Sequence, residues 1–387
     1  MAYKAPGRMP TPIGFLRHNF LVRSETFIYN SMRSLQEHGD FSVRVFALKR
    51  FLADRFPWDD VTLLHGFPRV WYHITRRSPE LTRWAKSVKL IHAHLGQTGP
   101  FAMAAAARAN IPFVVSYYGH DVMLHRTRER FAAWAWWYTL LRRRVFARAS
   151  RIIVLSDQMR RALAAQGCPP DKIEIVRLGV DLGRFDVTRT TTTDALRVLM
   201  VGREVDKKGF DDGIRACKAL VDRGIPTKLT LLGTGGPLQA PLRALAAELS
   251  LDVEWPDPAS PVPDAMANAD VLLVPSRVAA NGDEEGTPTV IVEGGAARLP
   301  VVSTRHAGIP EQIDDGTTGL LAAERDINGL ADALAALAKD PAKRVAMGEA
   351  ARAKMQREYS LAAHRDRLED IYRSVLGDDR AVLGATA

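Results

Sequence analysis

The chain is poor in cysteine and has no long apolar run. Its 387 residues contain two cysteines, Cys168 and Cys217, too few for a disulfide framework and without the spacing of a zinc site. We expect both to be buried thiols. No segment approaches the roughly 18 to 20 consecutive apolar residues of a spanning helix, and the proline-bearing N-terminus lacks a signal-peptide core. These absences predict a cytoplasmic protein.

Acidic residues are scarce in the first half. Residues 1–185 hold 29 Lys and Arg against 13 Asp and Glu, a balance of +16, so the remainder carries −7 of the net +9. Such asymmetry indicates an anionic partner for the first half, which could be nucleic acid, a membrane surface or a phosphorylated acceptor. The alternative is a merely well-solvated surface.

Length and patterning predict two domains, since a single core seldom serves so long a chain. Short apolar runs alternate with helical patterns in both halves, which is typical of parallel sheets with covering helices. Residues 186–194 are short, polar and β-branched, and we interpret them as a linker. The predicted division is residues 1–185, the linker, residues 195–360, and a C-terminal helix and tail, 361–387, that return to the first domain.

The most specific stretch follows a predicted strand, Val271 to Val274. An acidic loop ends at Glu285, and Gly286-Thr287-Pro288 leads into a helix that contains Glu293. Thr287 can cap this helix with Pro288 in its first turn, and the free amides would face a phosphate. The two glutamates suit a sugar and a ribose diol, because a carboxylate accepts from two adjacent hydroxyls. The alternative is that Glu293 binds no ligand and is favoured only because a negative charge near the start of a helix interacts well with the helix dipole.

Glu-Gly-Thr-Pro-Thr-Val-Ile-Val-Glu (285 to 293) resembles the Glu-x7-Glu motif of retaining family 4 glycosyltransferases. Further segments resemble the same family in the same order, and those of the first half look like its exopolysaccharide, colanic-acid-type members. The resemblance spans roughly residues 20 to 376. These segments are Ser24-Glu-Thr-Phe-Ile28, His92-Ala-His-Leu-Gly96, Tyr118-Gly-His-Asp121, Val201-Gly-Arg-Glu-Val-Asp-Lys-Lys-Gly209, Leu231-Leu-Gly-Thr-Gly-Gly236, Ile309-Pro-Glu-Gln and Gly316-Thr-Thr-Gly-Leu.

The resemblance implies an α/β GT-B fold, in which two facing Rossmann-like domains hold a nucleotide-sugar donor in the cleft between them. It implies that Arg203 and Lys208 neutralise a diphosphate leaving group, so no metal or other cofactor is expected. It also implies retention by front-face displacement. The implied donor-binding residues are Gly202, Arg203, Lys208, Glu285, Gly286, Thr287, Pro288 and Glu293, and those on the acceptor side are Ser24, Glu25, Thr26, His94, Gly96 and Asp121.

One motif departs from the family pattern. The family commonly has histidine directly before the glycine of Tyr118-Gly119-His120-Asp121, whereas here it follows that glycine. Either Tyr118 takes the catalytic position beside the transferred sugar or His120 reaches that position. The other catalytic residues that the resemblance implies are Arg203, Lys208 and Glu285. The alternative is a polar turn in which Asp121 caps a helix.

The segment Arg126 to Arg148 combines aromatic residues with arginines, which is typical of an interfacial helix. It predicts peripheral attachment to an anionic inner membrane, where a lipid-linked acceptor would lie. The competing interpretation is an ordinary helix with its aromatics in the core. Its predicted apolar stripe is Phe131, Trp134, Tyr138, Leu141 and Val145, with Trp136 and Trp137 beside it.

The basic first half also admits a nucleic-acid-binding or membrane-binding protein without transferase activity. No helix-turn-helix, zinc finger or RNP motif supports binding to nucleic acid, so none is expected. The predicted function is transfer of a sugar to a glycan or lipid-linked acceptor in polysaccharide or glycolipid biosynthesis. The sugar, the base, the acceptor and the oligomeric state are not identified by the sequence.

Overall fold

The computed structural model describes residues 9–21, 25–65, 69–123, 133–189 and 194–377. The chain divides into two compact units, the first formed by residues up to 155, residues 159–179 and the segment from 361, and the second by residues 156–158 and 180–360. Each unit has a parallel sheet and its own apolar core. The predicted α/β class with two Rossmann-like domains is confirmed.

The main sheet of the first unit is wholly parallel. Over the described ranges its strands are β1 (Thr11–Leu16), β3 (Phe41–Ala47), β5 (Val61–Leu63), β6 (Leu90–His94), β7 (Phe113–Ser116), β8 (Arg151–Val154) and β9 (Ile173–Ile175), and β2 (Asn19–Phe20) pairs with β4 (Lys49–Arg50) outside it. The order is β5-β3-β1-β6-β7-β8-β9. Strands β6 and β7 are buried along their whole length, because helices cover both faces of such a sheet.

The helices of the first unit surround this sheet. They are α1 (Thr26–His38), α2 (Arg69–Thr75), α3 (Pro79–Ala85), α4 (Gly99–Ala109), α5 (His120–Met123), α6 (Ala133–Arg148), α7 (Asp157–Ala165) and α15 (Leu361–Leu376). Helix α15 buries Leu368, Ile371 and Tyr372 in a cluster that includes residues of α1 and β3. The C-terminal helix is therefore part of the first unit's core.

The second sheet is also parallel throughout. Its described strands are β10 (Leu196–Gly202), β11 (Thr227–Gly233), β12 (Val253–Glu254), β13 (Val271–Val274), β14 (Val301–Thr304) and β15 (Gly319–Ala322), in the order β12-β11-β10-β13-β14-β15. The direction of winding reverses between β10 and β13, which is the topological switch point of a doubly wound sheet. Ligands of such sheets bind outside the carboxyl ends of the strands at this point.

Helices of the second unit follow its strands in alternation. They are α8 (Phe210–Asp222), α9 (Gln239–Glu248), α10 (Val262–Ala267), α11 (Thr289–Ala296), α12 (Ile309–Gln312), α13 (Ile327–Lys339) and α14 (Pro341–Glu358). Among the described helices of the chain, none is long and apolar enough to cross a membrane. Both cysteines are buried and unpaired with each other, as expected.

The boundary predicted at residue 185 is wrong by several residues. Val180 pairs with Ser360, and Leu182 and Phe185 are buried in the second unit's core. Residues 180–185 therefore belong to the second unit, because their apolar side chains are buried there. Part of the predicted linker is packed as well, since Arg189 donates to the carbonyl oxygens of Ala269 and Arg298, and residues 190–193 lie outside the described ranges.

Candidate functional site

A cluster of charged side chains lies at the carboxyl edge of the second sheet, beside the switch point. Strand β10 ends at Gly202, and a 3-10 turn, Asp206–Lys208, follows it. Gly209 has a left-handed φ of 61°, and a Cβ there would lie 2.0 Å from the carbonyl oxygen of Pro275. Glycine thus lets this turn approach the loop after β13 closely.

Two lysines meet one glutamate in this cluster. The Nζ of Lys208 lies 3.3 Å from Oε1 of Glu285, and the Nζ of Lys207 lies 3.7 Å from the same oxygen. Lys207 also pairs with Asp283 at 3.1 Å. The sequence had singled out Lys208 and Glu285, and the structure brings them together with a second lysine beside them.

The pKa values of Glu285 and Glu293 shift in opposite directions. Burial disfavours the charged form of Glu285, but Lys208 and Lys207 more than offset it, so the pKa of this carboxyl is lowered. Burial dominates for Glu293 and raises its pKa, although Thr289, Arg184 and Lys208 oppose that effect. Glu285 is therefore held as a carboxylate at neutral pH. For Glu293, the neighbouring groups do not fully offset the cost of burying the ionised carboxylate.

A buried histidine fixes the backbone of Glu285. The Glu285 amide donates to Nε2 of His306 at 3.1 Å, and Nδ1 of His306 lies 2.7 Å from Oε1 of Glu324. A neutral imidazole with its proton on Nδ1 satisfies both contacts. His306 lies two residues after the end of β14 and just before the Ile309-Pro-Glu-Gln segment, and the sequence reasoning missed it.

Arg203 offers the site an uncommitted positive charge. Its side chain is exposed at the end of β10, and it has no ion-pair partner among the residues that the structure describes. Such a cation, next to Lys208 in the same short loop, can approach an anionic ligand without first breaking an internal ion pair.

Arg277 holds the lysine-bearing turn in place. It forms ion pairs with Asp206, Asp211 and Asp212 at 2.6 to 2.9 Å, and the pKa of its guanidinium is raised because these carboxylates outweigh its burial. The sequence reasoning did not identify this group, because its members lie far apart in the chain and only Asp206 belongs to a family segment.

Glu204 explains the small residues of the Leu231-to-Gly236 segment. Its buried backbone lies against Gly236, where a Cβ would come 2.3 Å from the Glu204 carbonyl oxygen, and its carboxylate lies over Gly233. Side chains at these two positions would push the β10 loop outward. The sequence did not single out Glu204.

The helix after Glu285 begins later than predicted. Helix α11 starts at Thr289 with Pro288 at the N-cap, and no side chain caps it. Thr287 was expected to cap this helix but does not, because it lies one residue before the N-cap, and its buried Oγ1 has no hydrogen-bond partner among the described residues. Glu293 lies in the second turn, as the sequence suggested. The N-cap residue of α11 therefore gives the first-turn amides no side-chain acceptor.

A second group of predicted residues lies at the carboxyl edge of the first sheet. Nδ1 of His94, the last residue of β6, is 2.6 Å from the hydroxyl of Tyr118. Burial, with His92 and Arg17 nearby, lowers the pKa of His94 well below its ordinary value, and burial raises that of Tyr118. Both side chains are therefore neutral at physiological pH.

His92 joins this sheet edge to the C-terminal helix. Its Nδ1 lies 2.6 Å from the hydroxyl of Tyr372, and its Nε2 lies 2.7 Å from Oγ of Ser116. Burial lowers its pKa to about 3, so it is neutral as well. Since both ring nitrogens are engaged, His92 serves to hold α15, β6 and β7 together.

Asp121 organises the turn around Tyr118. Its Oδ1 accepts from the amides of Tyr118 and Gly119, and its Oδ2 accepts from the amide of Gly96 at 2.8 Å. Gly96 has no room for a side chain, because a Cβ would lie 2.2 Å from the ring of Tyr117. Burial raises the pKa of Asp121, although these amides oppose the shift. Asp121 therefore supports the loop and is itself buried.

The remaining first-unit residues are only partly described. Glu25 is buried and pairs with Arg17, whose guanidinium also donates to the His94 carbonyl oxygen at 3.2 Å. Thr26 begins α1. Ser24 and the side chain of His120 lie outside what the structure describes, so the choice between Tyr118 and His120 stays a prediction.

The described part of the predicted membrane segment, residues 138–148, buries one face of its helix. Tyr138, Leu141 and Val145 are buried in the first unit's core, and the Tyr138 hydroxyl donates to that of Tyr117 at 3.1 Å. These three positions agree with the competing interpretation, in which the segment is an ordinary helix that packs on the core. Residues 126–132, and the side chains at 133–137 that include the predicted tryptophans, lie outside the described part.

Potential metal ligands come together once within the described chain, at His38, Asp40 and Glu369 in the first unit. Arg373 donates to Asp40 and to Glu369, each at 2.7 Å. The guanidinium thus already fills the space between the two carboxylates, which makes this group an ion-pair network.

Family models cover most of the chain. The model described as "Glycosyl transferases group 1" matches residues 188–354, and the "Glycosyltransferase Family 4" model matches residues 24–184. The two matched regions correspond closely to the two structural units.

Curated relatives carry glycosyltransferase names. A colanic acid biosynthesis glycosyltransferase of Escherichia coli (strain K12) is 30% identical over 377 residues, 84% of this chain and 90% of that protein. A GDP-mannose-dependent alpha-(1-6)-phosphatidylinositol monomannoside mannosyltransferase of Mycolicibacterium smegmatis is 30% identical over 324 residues, 76% of this chain and 81% of that protein.

Solved structures share the fold at low sequence identity. Anabaena HepE in complex with UDP aligns with a TM-score of 0.76 at 17% identity and covers 94% of this chain and 100% of its own. Sucrose-phosphate synthase of Thermosynechococcus elongatus aligns with a TM-score of 0.72 at 19% identity and covers 95% and 100%. These likenesses show the GT-B architecture.

Proposed function

The chain belongs to the family 4 glycosyltransferases, and on that premise we propose that it transfers a sugar, with retention, from a nucleotide-sugar donor to a glycan or lipid-linked acceptor. Membership of this family makes it a glycosyltransferase of polysaccharide or glycolipid biosynthesis. The alternative of a binding protein without transferase activity is thereby set aside. The finer parts of the proposal are that the donor is a nucleotide sugar, that the configuration at the anomeric carbon is retained, and that the transferred sugar is a hexosyl group.

The observation that carries the proposal is the meeting of Lys208 with Glu285 beside exposed Arg203 at the switch point. A nucleoside diphosphate gains negative charge on its leaving oxygen as the sugar departs, and fixed cations stabilise that charge. Arg203 and Lys208 supply two cations in this loop. We therefore propose that departure of the diphosphate requires no metal ion and that the enzyme needs no other cofactor.

The two glutamates are proposed to bind hydroxyl groups of the donor. Ionised Glu285 accepts from hydroxyls of the transferred sugar, and Glu293 accepts from the ribose diol. Gly202, Gly286, Thr287 and Pro288 line the same loops, and the buried Thr287 hydroxyl is free of other described partners. A ligand that supplies hydroxyl donors would compensate the carboxylate of Glu293, whose pKa burial has raised.

Retention is proposed to proceed by front-face displacement, in which the departing phosphate helps to deprotonate the acceptor hydroxyl. The glutamates are not assigned as the acid and nucleophile of a hydrolase, because those groups flank a glycosidic bond. On the first unit, Tyr118 or His120 is proposed to hydrogen-bond near the transferred sugar, with Ser24, Glu25, Thr26, His94, Gly96 and Asp121 on the acceptor side. Of these, buried Asp121 acts through the turn that it holds.

We also propose that the reaction takes place in the cytoplasm at the inner face of the membrane. The relative named as a phosphatidylinositol monomannoside mannosyltransferase supports a lipid acceptor, which would lie at a membrane. Nucleic acid is not a proposed partner.

The donor is tested by thermal unfolding of the purified protein with a panel of nucleoside diphosphates and nucleotide sugars in EDTA. A ligand that binds the folded state raises the midpoint by mass action. We expect one base to raise it selectively, and a panel without any shift would contradict the donor assignment. NMR of the anomeric proton in the product then tests retention, and an inverted anomer would contradict the mechanism.

A further inference from the structure

A depression with strongly basic walls lies on the first unit, and neither His94 nor Tyr118 lines it. It has a volume of about 450 Å³ between the start of α3 and the end of α4. Its walls include Arg77, Arg83, Lys86 and Arg108. Four cations around one depression repel one another unless an anion neutralises them.

The protein itself supplies little neutralisation. Among the described residues, Arg76, Arg77, Arg83 and Lys86 form no ion pair, and Arg108 donates to the Ala104 carbonyl oxygen of its own helix. The pKa of Arg108 is lowered, first by burial and then by repulsion from Arg77 and Arg76. This repulsion places Arg76 in the same positive field. The one acid of α3, Glu80, forms no ion pair with any of these groups in the described structure.

Exposed apolar side chains stand directly before this basic group in the chain. Trp71 and Ile74, three residues apart on one face of α2, are 56% and 58% exposed, while Tyr72 on another face is fully buried. Ile74 precedes Arg76 by two residues. A large aromatic and a branched aliphatic side chain in water next to a cluster of cations are the composition of a surface that enters a lipid headgroup region.

We propose that this face, defined as Trp71 and Ile74 with Arg76, Arg77, Arg83, Lys86 and Arg108, docks on a bilayer that contains anionic phospholipid. The cations bind lipid phosphates, and the two apolar side chains insert at the boundary of headgroups and acyl chains. This inference rests on the proposed location at the membrane and identifies the surface that would contact the membrane. Vesicle binding can be measured without donor or acceptor. Its failure would therefore leave the proposed transfer reaction untouched.

The proposal differs from the membrane segment predicted at residues 126–148. There, Tyr138, Leu141 and Val145 are buried in the core, and Leu140 is a single large exposed apolar side chain among the residues that the structure describes in that segment. On the α2 and α3 face, Trp71 and Ile74 are in solvent, and the cations form no ion pair with any residue that the structure describes. The exposed pair Arg143 and Arg144 on α6 therefore provides a competing variant for the same assay.

The test is co-sedimentation with vesicles of phosphatidylglycerol and phosphatidylcholine, compared with phosphatidylcholine alone, at low and high salt. Arg77→Glu/Arg83→Glu should weaken binding to the anionic vesicles roughly 100-fold or more, because two charges are reversed and the net charge near the surface falls by four units. Arg215→Glu/Lys343→Glu makes the same charge change at exposed positions of the second unit and should bind as the wild type does. Equal binding by wild type and Arg77→Glu/Arg83→Glu would overturn the proposal, as would a loss confined to Arg143→Glu/Arg144→Glu.

Insertion is tested separately with Trp71→Ala, which leaves the cations in place. It should lower binding at high salt several-fold while retaining part of the binding at low salt, since charge attraction alone is screened. A single-stranded oligonucleotide provides the remaining arm. If Arg77→Glu/Arg83→Glu lost affinity for the oligonucleotide but kept its binding to vesicles, the face would be a nucleic-acid surface and the proposal would be wrong. Unchanged circular dichroism and thermal midpoints ensure that the variants are folded.

Discussion

The carboxyl edges of the two sheets differ in their electrostatics although their topologies are alike. At the first edge, burial lowers the pKa values of His92 and His94 and raises that of Tyr118, so these groups are neutral. At the second edge, Lys207 and Lys208 hold Glu285 ionised. His92, His94 and Tyr118 are thus uncharged hydrogen-bonding groups beside the buried ion pair of Arg17 with Glu25, whereas the second edge places two lysines against one carboxylate.

This difference suits two different tasks. Neutral groups in a dry environment can orient hydroxyls without the desolvation cost of an ion. Fixed ions are needed where charge develops during the reaction, because preorganised charges stabilise it without further reorganisation. We therefore assign diphosphate departure to the second unit and positioning of the transferred sugar or the acceptor to the first.

The largest effect should come from removing a cation of the charged edge. Lys208→Ala should lower the rate of sugar transfer about 100- to 1000-fold, because the leaving phosphate loses a positioned charge. Steady-state kinetics with saturating donor would measure it. Lys218→Ala is the control, since Lys218 pairs with Asp222 on its own helix α8. Equal rates for the two variants would remove Lys208 from the reaction.

At the neutral edge, a smaller loss is expected for Tyr118→Phe. Removing one hydroxyl that bonds a ligand lowers kcat by about 10- to 100-fold. Tyr29→Phe is the control, because the Tyr29 hydroxyl bonds the carbonyl oxygen of Pro57 at an exposed position. An active Tyr118→Phe together with an inactive His120→Ala would assign the position to His120 instead.

The two glutamates should respond oppositely in unfolding experiments without ligand. The pKa of Glu285 is lower in the folded state than its ordinary value of about 4.5, so the ionised carboxylate stabilises the fold at pH values above 4.5. This stabilisation is lost as the pH falls through the folded-state pKa. Glu285→Gln should thus lower the free energy of unfolding by about 1 to 3 kcal/mol at pH 7. The difference from wild type should shrink as the solution is acidified below pH 4.5.

For Glu293 the sign is reversed. Its raised pKa favours the protonated folded state at low pH, and that advantage is lost as the pH rises through the folded-state value. Glu293→Gln should therefore be as stable as the wild type, or more stable, at pH 7 in urea titrations. A clear loss of stability in Glu293→Gln at pH 7 would show that the two carboxyls do not differ as described.

A small effect, on stability alone, should come from Tyr372→Phe. The variant removes the hydroxyl that lies 2.6 Å from Nδ1 of His92, which should lower the free energy of unfolding by about 1 kcal/mol. Urea denaturation would measure it. Nucleotide affinity should not change, because this contact lies within the first unit. A fall in nucleotide affinity without a fall in stability would contradict the holding role given to His92.

The sequence predicted the fold through its buried strands and its motifs. The resemblance placed Lys208 and Glu285 at the same donor site, since both lie in family segments, but it did not predict their ion pair. Lys207, His306 and Arg277 escaped prediction because their roles depend on contacts between residues that are distant in the chain. The boundary near residue 185 was misjudged because Leu182 and Phe185 give no local sign of which core will bury them. Thr287 was misjudged because α11 begins after Pro288.

The central claim is that the charged edge of the second unit binds the donor diphosphate without a metal. Isothermal titration of UDP and of GDP in EDTA tests it most directly, with wild type, Arg203→Ala and Arg215→Ala, the last an exposed arginine of α8 without a described ion pair. We expect one nucleotide to bind the wild type and Arg215→Ala equally, and Arg203→Ala about 10- to 100-fold more weakly. Binding by Arg203→Ala as tight as that of the wild type, or binding that appears only when a divalent metal is added, would contradict the account.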